Sequence, residues 1–481
     1  MPVTNQYGPG MYDVIVIGAG YAGLTAATVL SAAGADVLLV EARDRVCGRV
    51  HTERFADGSW IDMGGQWVGP TQRRLRALAD RHGIATFPTH DVGEAVDLWQ
   101  GTRHRYTGPL PTSDPEGLSD AVAAILDLDL AALEVPLDAP WLAPDAVERD
   151  SETFQSWIDR EVDSDNGRAQ LALACQAIWS AEPRDLSLLH VQFYLRSAGG
   201  MMTLLGVEGA AQDSRFVGGA SSTGEAMAAA LGDRVVLGNP VRRVEHDADG
   251  VTVHGDLGSY RARRAIICLP PALAGRIAYA PALPGFRDQL TQRIPMGTVI
   301  KCHAVYETPF WRADGLSGRA TADTGAVRVA FDNSPPDGSS GVLMGFVEGE
   351  EGRRLGRLAP EVRRKEVLAC FASFVGDQAL APVAFHERSW ADEEWSRGCY
   401  AGLFGPGTWT SYGEALRAPI GPLHWAGTES ATVWSGYIDG AIQSGERAAF
   451  EVCDGLGLAR PAALPESGGQ VTDADRVGLR G

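Results

Sequence analysis

Between Val14 and Leu30 the chain passes from a β-rich apolar run, Val14-Ile15-Val16-Ile17, through Gly18-x-Gly20-x-x-Gly23, into a stretch of helical composition that stops at Gly34. Few local patterns restrict a fold as strongly. Gly18 permits a tight turn, Gly20 lets the backbone approach a pyrophosphate, and Gly23 lets helix and strand pack closely, while the helix N-terminus faces the negative charge. A second apolar run, Val37 to Val40, ends at Glu41, whose carboxylate would accept hydrogen bonds from ribose hydroxyls. Strand, glycines, helix, strand and acid in this order predict a parallel βαβ unit that binds a dinucleotide; a glycine turn without ligand is the bland alternative. The unit alone does not separate NAD from FAD.

Val14 to Ala35 is also the longest uncharged stretch, long enough to span a membrane, but its internal strand-turn-helix order argues against that. At 481 residues and 45% hydrophobic, the chain has material for two domains, consecutive or interleaved. A formal net charge of −19 repels phosphate backbones and anionic lipid, which weighs against nucleic-acid and membrane-surface partners. The basic residues are 40 Arg and only two Lys, Lys301 and Lys365, so each Lys raises the question of why Arg does not stand there. Seven scattered Cys without a CxxC pair suggest neither a disulfide framework nor a zinc site, and the first ten residues lack a signal-peptide pattern; a cytoplasmic protein is expected. The ten His show no ligand spacing, and adjacent Cys302 and His303 on a strand would face opposite ways, so no metal is expected.

Further strands are expected within 233–253, with a turn at Asp249-Gly250, and at 264–269 before Pro270-Pro271; helices are expected at 118–133, 170–178 and 440–451. Residues 1–10 and those from Arg460 on read as loose tails.

Several motifs in order resemble the flavoprotein amine-oxidase family, most of all the monoamine oxidases, over nearly the whole chain. They are Glu41-Ala42-Arg43-Asp44-Arg45-Val46-Cys47-Gly48-Arg49, with Cys47 where the family usually has Gly, and Asp62-Met63-Gly64-Gly65-Gln66-Trp67-Val68-Gly69-Pro70-Thr71-Gln72. Phe216-Val217-Gly218-Gly219, Pro240-Val241, Trp425-Ala426-Gly427-Thr428-Glu429 and Trp434-Ser435-Gly436-Tyr437-Ile438-Asp439-Gly440-Ala441 continue the series. The resemblance implies an α/β fold in which a Rossmann-type FAD-binding domain (11–86, 217–290 and 391–455) is interleaved with a mixed-sheet and helical substrate domain (87–216 and 291–390). It implies FAD contacts at Gly18, Gly20, Gly23, Glu41, Arg43, Gly48, Arg49, Gly64, Gly65, Gln66, Trp67, Val241, Trp390, Cys399, Glu429, Tyr437 and Ile438. Surface ion pairs are the plainer reading of Arg43 and Arg49. The helix after Tyr437 would point its positive end at the flavin and favour the reduced cofactor.

By the same resemblance, Cys399 in Arg397-Gly398-Cys399-Tyr400 is the cysteine that can be joined to the flavin, although Arg397 replaces a Gly and related bacterial enzymes often hold FAD non-covalently. Tyr400 and Tyr437 would form an aromatic cage that orients a neutral amine. Lys301, among apolar neighbours in Val299-Ile300-Lys301-Cys302, would hold a water near flavin N5; burial should lower its pKa, unless its head reaches solvent at a sheet edge. Ala177, Ile178, Leu205, Gln212, Val329, Phe331 and Phe346 would line the substrate cavity, a largely apolar wall without an evident carboxylate, which suits a monoamine better than a diamine.

The implied reaction is oxidation of a primary or secondary monoamine to an imine, with O2 reduced to H2O2. The rivals are oxidation of a polyamine, an L-amino acid or a tailoring substrate, a dehydrogenase using another acceptor, and a non-catalytic FAD-binding protein. No apolar helix follows Leu456, so membrane anchoring does not carry over. A homodimer is compatible with the resemblance.

Overall fold

The computed structural model describes residues 10–466. Tyr12–Ile17, the helix Tyr21–Ala32 and Val37–Val40 form the expected βαβ unit, with Val14 opposite Val37 in a parallel ladder. Alternate side chains of the two strands enter different apolar clusters. Val14, Val16, Val37 and Leu39 pack with helix residues Leu24 and Leu30, while Ile15, Ile17, Leu38 and Val40 pack on the opposite face. Both faces are covered, which is why these runs are continuously apolar rather than alternating. Each such side chain stabilises the fold by roughly 1.5–3 kcal/mol on full burial.

The βαβ strands belong to an eight-stranded mixed sheet. Its order runs Val235–Val236, Val37–Val40, Tyr12–Ile17, Gly258–Ile267, Gly250–Gly255, Val241–Asp247, Ala278–Ala280, with Leu423–Trp425 also paired to Gly258–Ile267. A seven-stranded sheet takes its strands from the intervening chain: Ala384–Ser389, Val299–Tyr306, Gly341–Glu348, Val329–Asp332, Leu316–Ala322, Glu94–Trp99 and Thr102–Tyr106. In it Lys301 stands opposite Phe346 and Val299 opposite Glu348, so these four side chains share a face. The helices Pro115–Ala132, Asp165–Trp179 and Leu188–Ala198 build a separate apolar cluster, with Leu128, Leu171 and Leu195 fully buried.

Three details differ from expectation. The C-terminal helix runs Ile438–Leu456, two residues earlier than Gly440, with Tyr437 as its extended N-cap. The chain from Arg460 is not loose throughout: Leu464 is buried and its N–H donates to Glu446 Oε1 at 2.7 Å, while the tails at 1–9 and 467–481 lie outside the described residues. Cys47 keeps a left-handed backbone, φ 73°, at a cost of about 1–2 kcal/mol. Its buried thiol is packed into the space beside Gly224, whose added Cβ would come 2.5 Å from the sulfur.

Helix Tyr21–Ala32 packs directly on Ile438–Leu456, and the approach is backbone to backbone. A Cβ on Gly445 would lie 2.1 Å from the Ala22 carbonyl, just as one on Gly23 would lie 1.8 Å from the Gly18 carbonyl. Because the obstacle is main chain, neither site can yield by rotating a side chain. Gly445→Ala is therefore expected to cost about 1–3 kcal/mol through forced helix separation, read as a lower urea midpoint at unchanged slope; an unaltered midpoint would mean that the two helices are free to part.

Candidate active site

A continuous cavity of about 500 Å³ runs from the first βα turn to the face of the seven-stranded sheet. At one end it is lined by Gly18, Gly20, Glu41, Arg43, Gly48, Arg49 and Val241. Gly20 caps the helix N-terminus, and a Cβ there would meet nothing within 4 Å, so the backbone N–H groups open onto free space. Glu41 is 4% exposed; its Oε2 accepts from Ala19 N at 2.7 Å and its Oε1 from Arg43 N at 2.9 Å, which fixes the acid against the glycine turn. Arg43 donates to Ser396 Oγ at 2.8 Å. An open glycine turn, a fixed carboxylate and two cavity-facing guanidinium groups fit a dinucleotide diphosphate and ribose.

Arg49 is anchored by Glu429 through both nitrogens, Nη1 to Oε1 at 2.6 Å and Nη2 to Oε2 at 3.2 Å, and Nη1 also donates to the Tyr400 carbonyl at 3.0 Å. Glu429 Oε1 further accepts from Gly402 N at 3.1 Å. Burial pushes the Glu429 carboxyl up, but the Arg49 guanidinium outweighs it and holds the group below its ordinary value. Glu429 therefore braces the cavity from behind and, unlike the other expected FAD contacts except Gly23, does not line it.

Lys301 is 2% exposed, so its head does not reach solvent at a sheet edge. Its Nζ donates to the Gly64 carbonyl at 2.8 Å and to Gln66 Oε1 at 2.6 Å; Gln66 Nε2 in turn donates to Asn333 Oδ1 at 2.8 Å. The ammonium also lies 5.6 Å from the Phe346 ring centre and 5.9 Å from that of Trp67. Burial lowers its pKa to about 7, an effect that buried Asp62 opposes and Arg215 reinforces. Trp390 lines the same end and donates from Nε1 to the Met63 carbonyl at 2.9 Å.

Tyr400, Tyr437, Ile438 and Cys399 line the cavity beside Lys301, together with Gly65 and Trp67. The Tyr400 ring meets Phe346 edge-on at 5.8 Å, and Tyr437 meets Trp434 edge-on at 4.9 Å. Cys399 is a free, buried thiol whose pKa burial pushes up to about 12. Ala177, Ile178, Leu205, Gln212, Val329, Phe331 and Phe346 all reach the same space. Gln212 Nε2 donates to the Leu204 carbonyl at 3.0 Å, while its buried Oε1 has no protein partner among the described residues.

The chain matches the family model described as flavin containing amine oxidoreductase over residues 21–453. It belongs to that family. It is 43% identical over 450 residues to a Mycobacterium tuberculosis protein that carries the name flavin-containing monoamine oxidase AofH, covering 94% of this chain and 98% of the relative. Among solved structures, putrescine oxidase bound to putrescine superposes with a TM-score of 0.89 at 36% identity, over 92% of this chain and 99% of that one. Cyclohexylamine oxidase from Brevibacterium oxydans gives 0.88 at 35%, over 93% and 100%.

For a flavin amine oxidase the cavity holds residues that sequence reasoning missed, Asp97 and Glu348 among them. Glu348 lines it and accepts the Tyr400 hydroxyl at 2.7 Å, and Asp97 lines it too, so the wall does contain carboxylates, contrary to expectation. The available signal was the period of two, since Glu348 follows Phe346 by two residues on one strand. Asn333, the partner of Gln66, carried no motif. Among the described residues no helix is long and apolar enough to cross a membrane and no group of side chains could hold a metal ion.

The lowered pKa of Lys301 has a thermodynamic counterpart. From about pH 7 to about 10.4 the unfolded chain carries a proton at this position that the folded chain has released, so stability rises with pH across that window. Lys301→Met should remove this rise, making its stability relative to the parent higher near the bottom of the window than near the top in urea unfolding. An equal difference at both ends would show that Lys301 titrates normally.

Proposed function

We propose that the protein binds FAD in this cavity and oxidises a primary or secondary amine, R-CH2-NHR′, to the imine with O2 as acceptor. The observation that carries this reading is the convergence of a buried lysine near neutrality with two cavity-lining tyrosines, next to a glycine-lined dinucleotide end. FAD, when bound, supplies the hydride acceptor and returns the electrons to O2 as H2O2.

The chain's own residues do the rest. The Gly18–Gly23 turn and Arg43 hold the diphosphate, Glu41 the ribose, and the N-terminus of Ile438–Leu456 stabilises negative charge at the ring. Tyr400 and Tyr437 orient the amine and favour its neutral form, the form with a lone pair to assist C–H cleavage. Gln212 Oε1 accepts an amine N–H. Lys301 Nζ, held by Gly64 and Gln66, keeps a polar contact where O2 must react, and its pKa near 7 lets it give up or take a proton there. The apolar wall holds an aryl or alkyl body. An L-amino acid would need a free guanidinium in that wall, but Arg328 is engaged by Gln176 Oε1 at 3.0 Å and does not line the cavity. Free thiols and the acidic surface fit a cytoplasmic enzyme.

Anaerobic mixing of the yellow holoenzyme with an amine should bleach it, and admitting air should restore the colour with one H2O2 per imine. Lys301→Met should slow recolouring by about 10²-fold or more while slowing bleaching far less. Bleaching without recolouring in air would make the protein a dehydrogenase, and equal slowing of both phases would remove the oxygen role of Lys301.

Cys399 occupies the position of the family's flavin-linking cysteine, and we assign it that tether. Acid precipitation should leave the yellow colour with the protein pellet and release it in Cys399→Ala; colour wholly in the parent's supernatant refutes the assignment.

A further inference from the structure

An alkylamine titrates at about 10.4, as a lysine side chain does, so near neutral pH it arrives almost wholly as the ammonium. Oxidation needs the neutral form, and some group must take one proton before a hydride can leave. The roles assigned above leave one cavity carboxylate free for that task. Glu348 ends the strand Gly341–Glu348 and occupies the N-cap of the helix Gly349–Leu355, yet its side chain makes no cap bond; the Glu350 N–H donates to Glu182 Oε1 at 2.8 Å instead. The Glu348 carboxylate faces the cavity, 7% exposed, and its Oε1 accepts from the hydroxyl of Tyr400, one of the two tyrosines that orient the amine.

The surroundings leave Glu348 ready to take a proton. Burial pushes its carboxyl up to about 8; the Tyr400 and Ser180 hydroxyls and Arg328 offset part of this, and Glu182 adds to it. Arg328, which does not line the cavity, is tied to Gln176 Oε1 at 3.0 Å. Glu350, on the helix that Glu348 precedes, pairs with Arg184 at 3.1 Å, and burial pushes the nearby Cys175 thiol up, so it stays neutral. On the adjacent strand Lys301 is engaged by Gly64 and Gln66. Asp97, which lines the cavity too, is engaged at both oxygens, by Thr321 Oγ1 at 2.7 Å and by Ser113 Oγ. A low-polarity wall penalises a carboxylate and an ammonium alike, so a pair formed there lowers its energy by moving one proton and becoming neutral.

We propose that Glu348 accepts the proton that the substrate ammonium must lose, with the Tyr400 hydroxyl as the bridge. The hydroxyl oxygen takes a proton from R-CH2-NH3+ as its own proton passes to Glu348 Oε1. Tyr400 stays neutral, the ammonium becomes R-CH2-NH2, the carboxylate becomes the acid, and no electrons move in this step. The amine then gives its hydride to the flavin with the lone pair in place, the iminium leaves, and Glu348 returns its proton to water. The proposal rests on the amine-oxidase reading and gives Tyr400 a second task besides orientation.

Glu348→Gln keeps an acceptor for Tyr400 but cannot take a proton. Anaerobic bleaching of the holoenzyme by n-pentylamine should be slower in this variant by about tenfold or more at about pH 9, where Glu348 is ionised and only about 4% of the amine is neutral. The gap should close as pH rises through about 10.4, where the amine loses its proton unaided. A readout without turnover uses tert-butylamine, whose carbon next to nitrogen bears no hydrogen, at a concentration that saturates its perturbation of the flavin spectrum. At about pH 9 its binding to the parent should add the infrared carbonyl band of a protonated carboxyl. At about pH 6.5, where Glu348 already carries its proton, and in Glu348→Gln, no band should be added. A gap of the same size from about pH 8 to about pH 11, as a merely structural role would give, or no added band in the parent at about pH 9, overturns the proposal while leaving amine oxidation intact. A parent that no amine bleaches at any pH overturns the underlying reading as well.

Discussion

The Arg49–Glu429 pair, its carboxylate buried and its guanidinium partly so, ties together the three chain segments on which the cavity depends. Arg49 follows the βαβ unit, Glu429 lies in the turn Thr428–Ser430 that leads to Tyr437, and the same two side chains reach the Tyr400 carbonyl and the Gly402 N–H. The Arg49 guanidinium compensates the buried Glu429 carboxylate, so loss of Arg49 would leave a buried orphan ion and cost about 3–5 kcal/mol. Neither charge is spent on chemistry. The pair acts as a clamp that brings Cys399 and Tyr400 to one wall with Tyr437, which lies on a separate segment.

Within that frame the low-polarity interior treats two cavity-lining ionisable groups alike and moves both toward neutrality. Lys301 drops to about 7 and Glu348 climbs to about 8, each because burial disfavours the charged form. A lysine that is half-neutral can hold a polar partner without the permanent charge of an arginine, which accounts for one of only two lysines in a chain with forty arginines.

The βαβ unit was readable because its signals are local: apolar runs of strand length, three glycines at fixed spacing, and an acid at the end of the second strand. Lys301, Tyr400 and Tyr437 stood out through rarity or motif, and the cavity gathers them together with the apolar lining residues. What escaped notice depends on partners distant in sequence. Glu429 looks like a ligand contact because it closes a motif, but its work is set by Arg49, 380 residues away. Glu348 carries no motif, and its place on the cavity wall is set by a strand register with Val299, 49 residues away. Leu464 falls in a stretch that reads as a loose tail because nothing nearby is periodic, yet it is buried against the core that includes the first βα helix. Cys47 holds a left-handed backbone where the family usually has glycine, and Gly224 leaves room for its sulfur.

The central claim is that one cavity places a flavin ring, an amine and Lys301 side by side. A crystal structure of the oxidised holoenzyme with a slowly reacting amine bound tests it most directly. The account predicts the ring between Lys301 and the pair Tyr400 and Tyr437, with the amine nitrogen on the tyrosine side. A flavin seated elsewhere, or an amine bound away from those tyrosines, would contradict it.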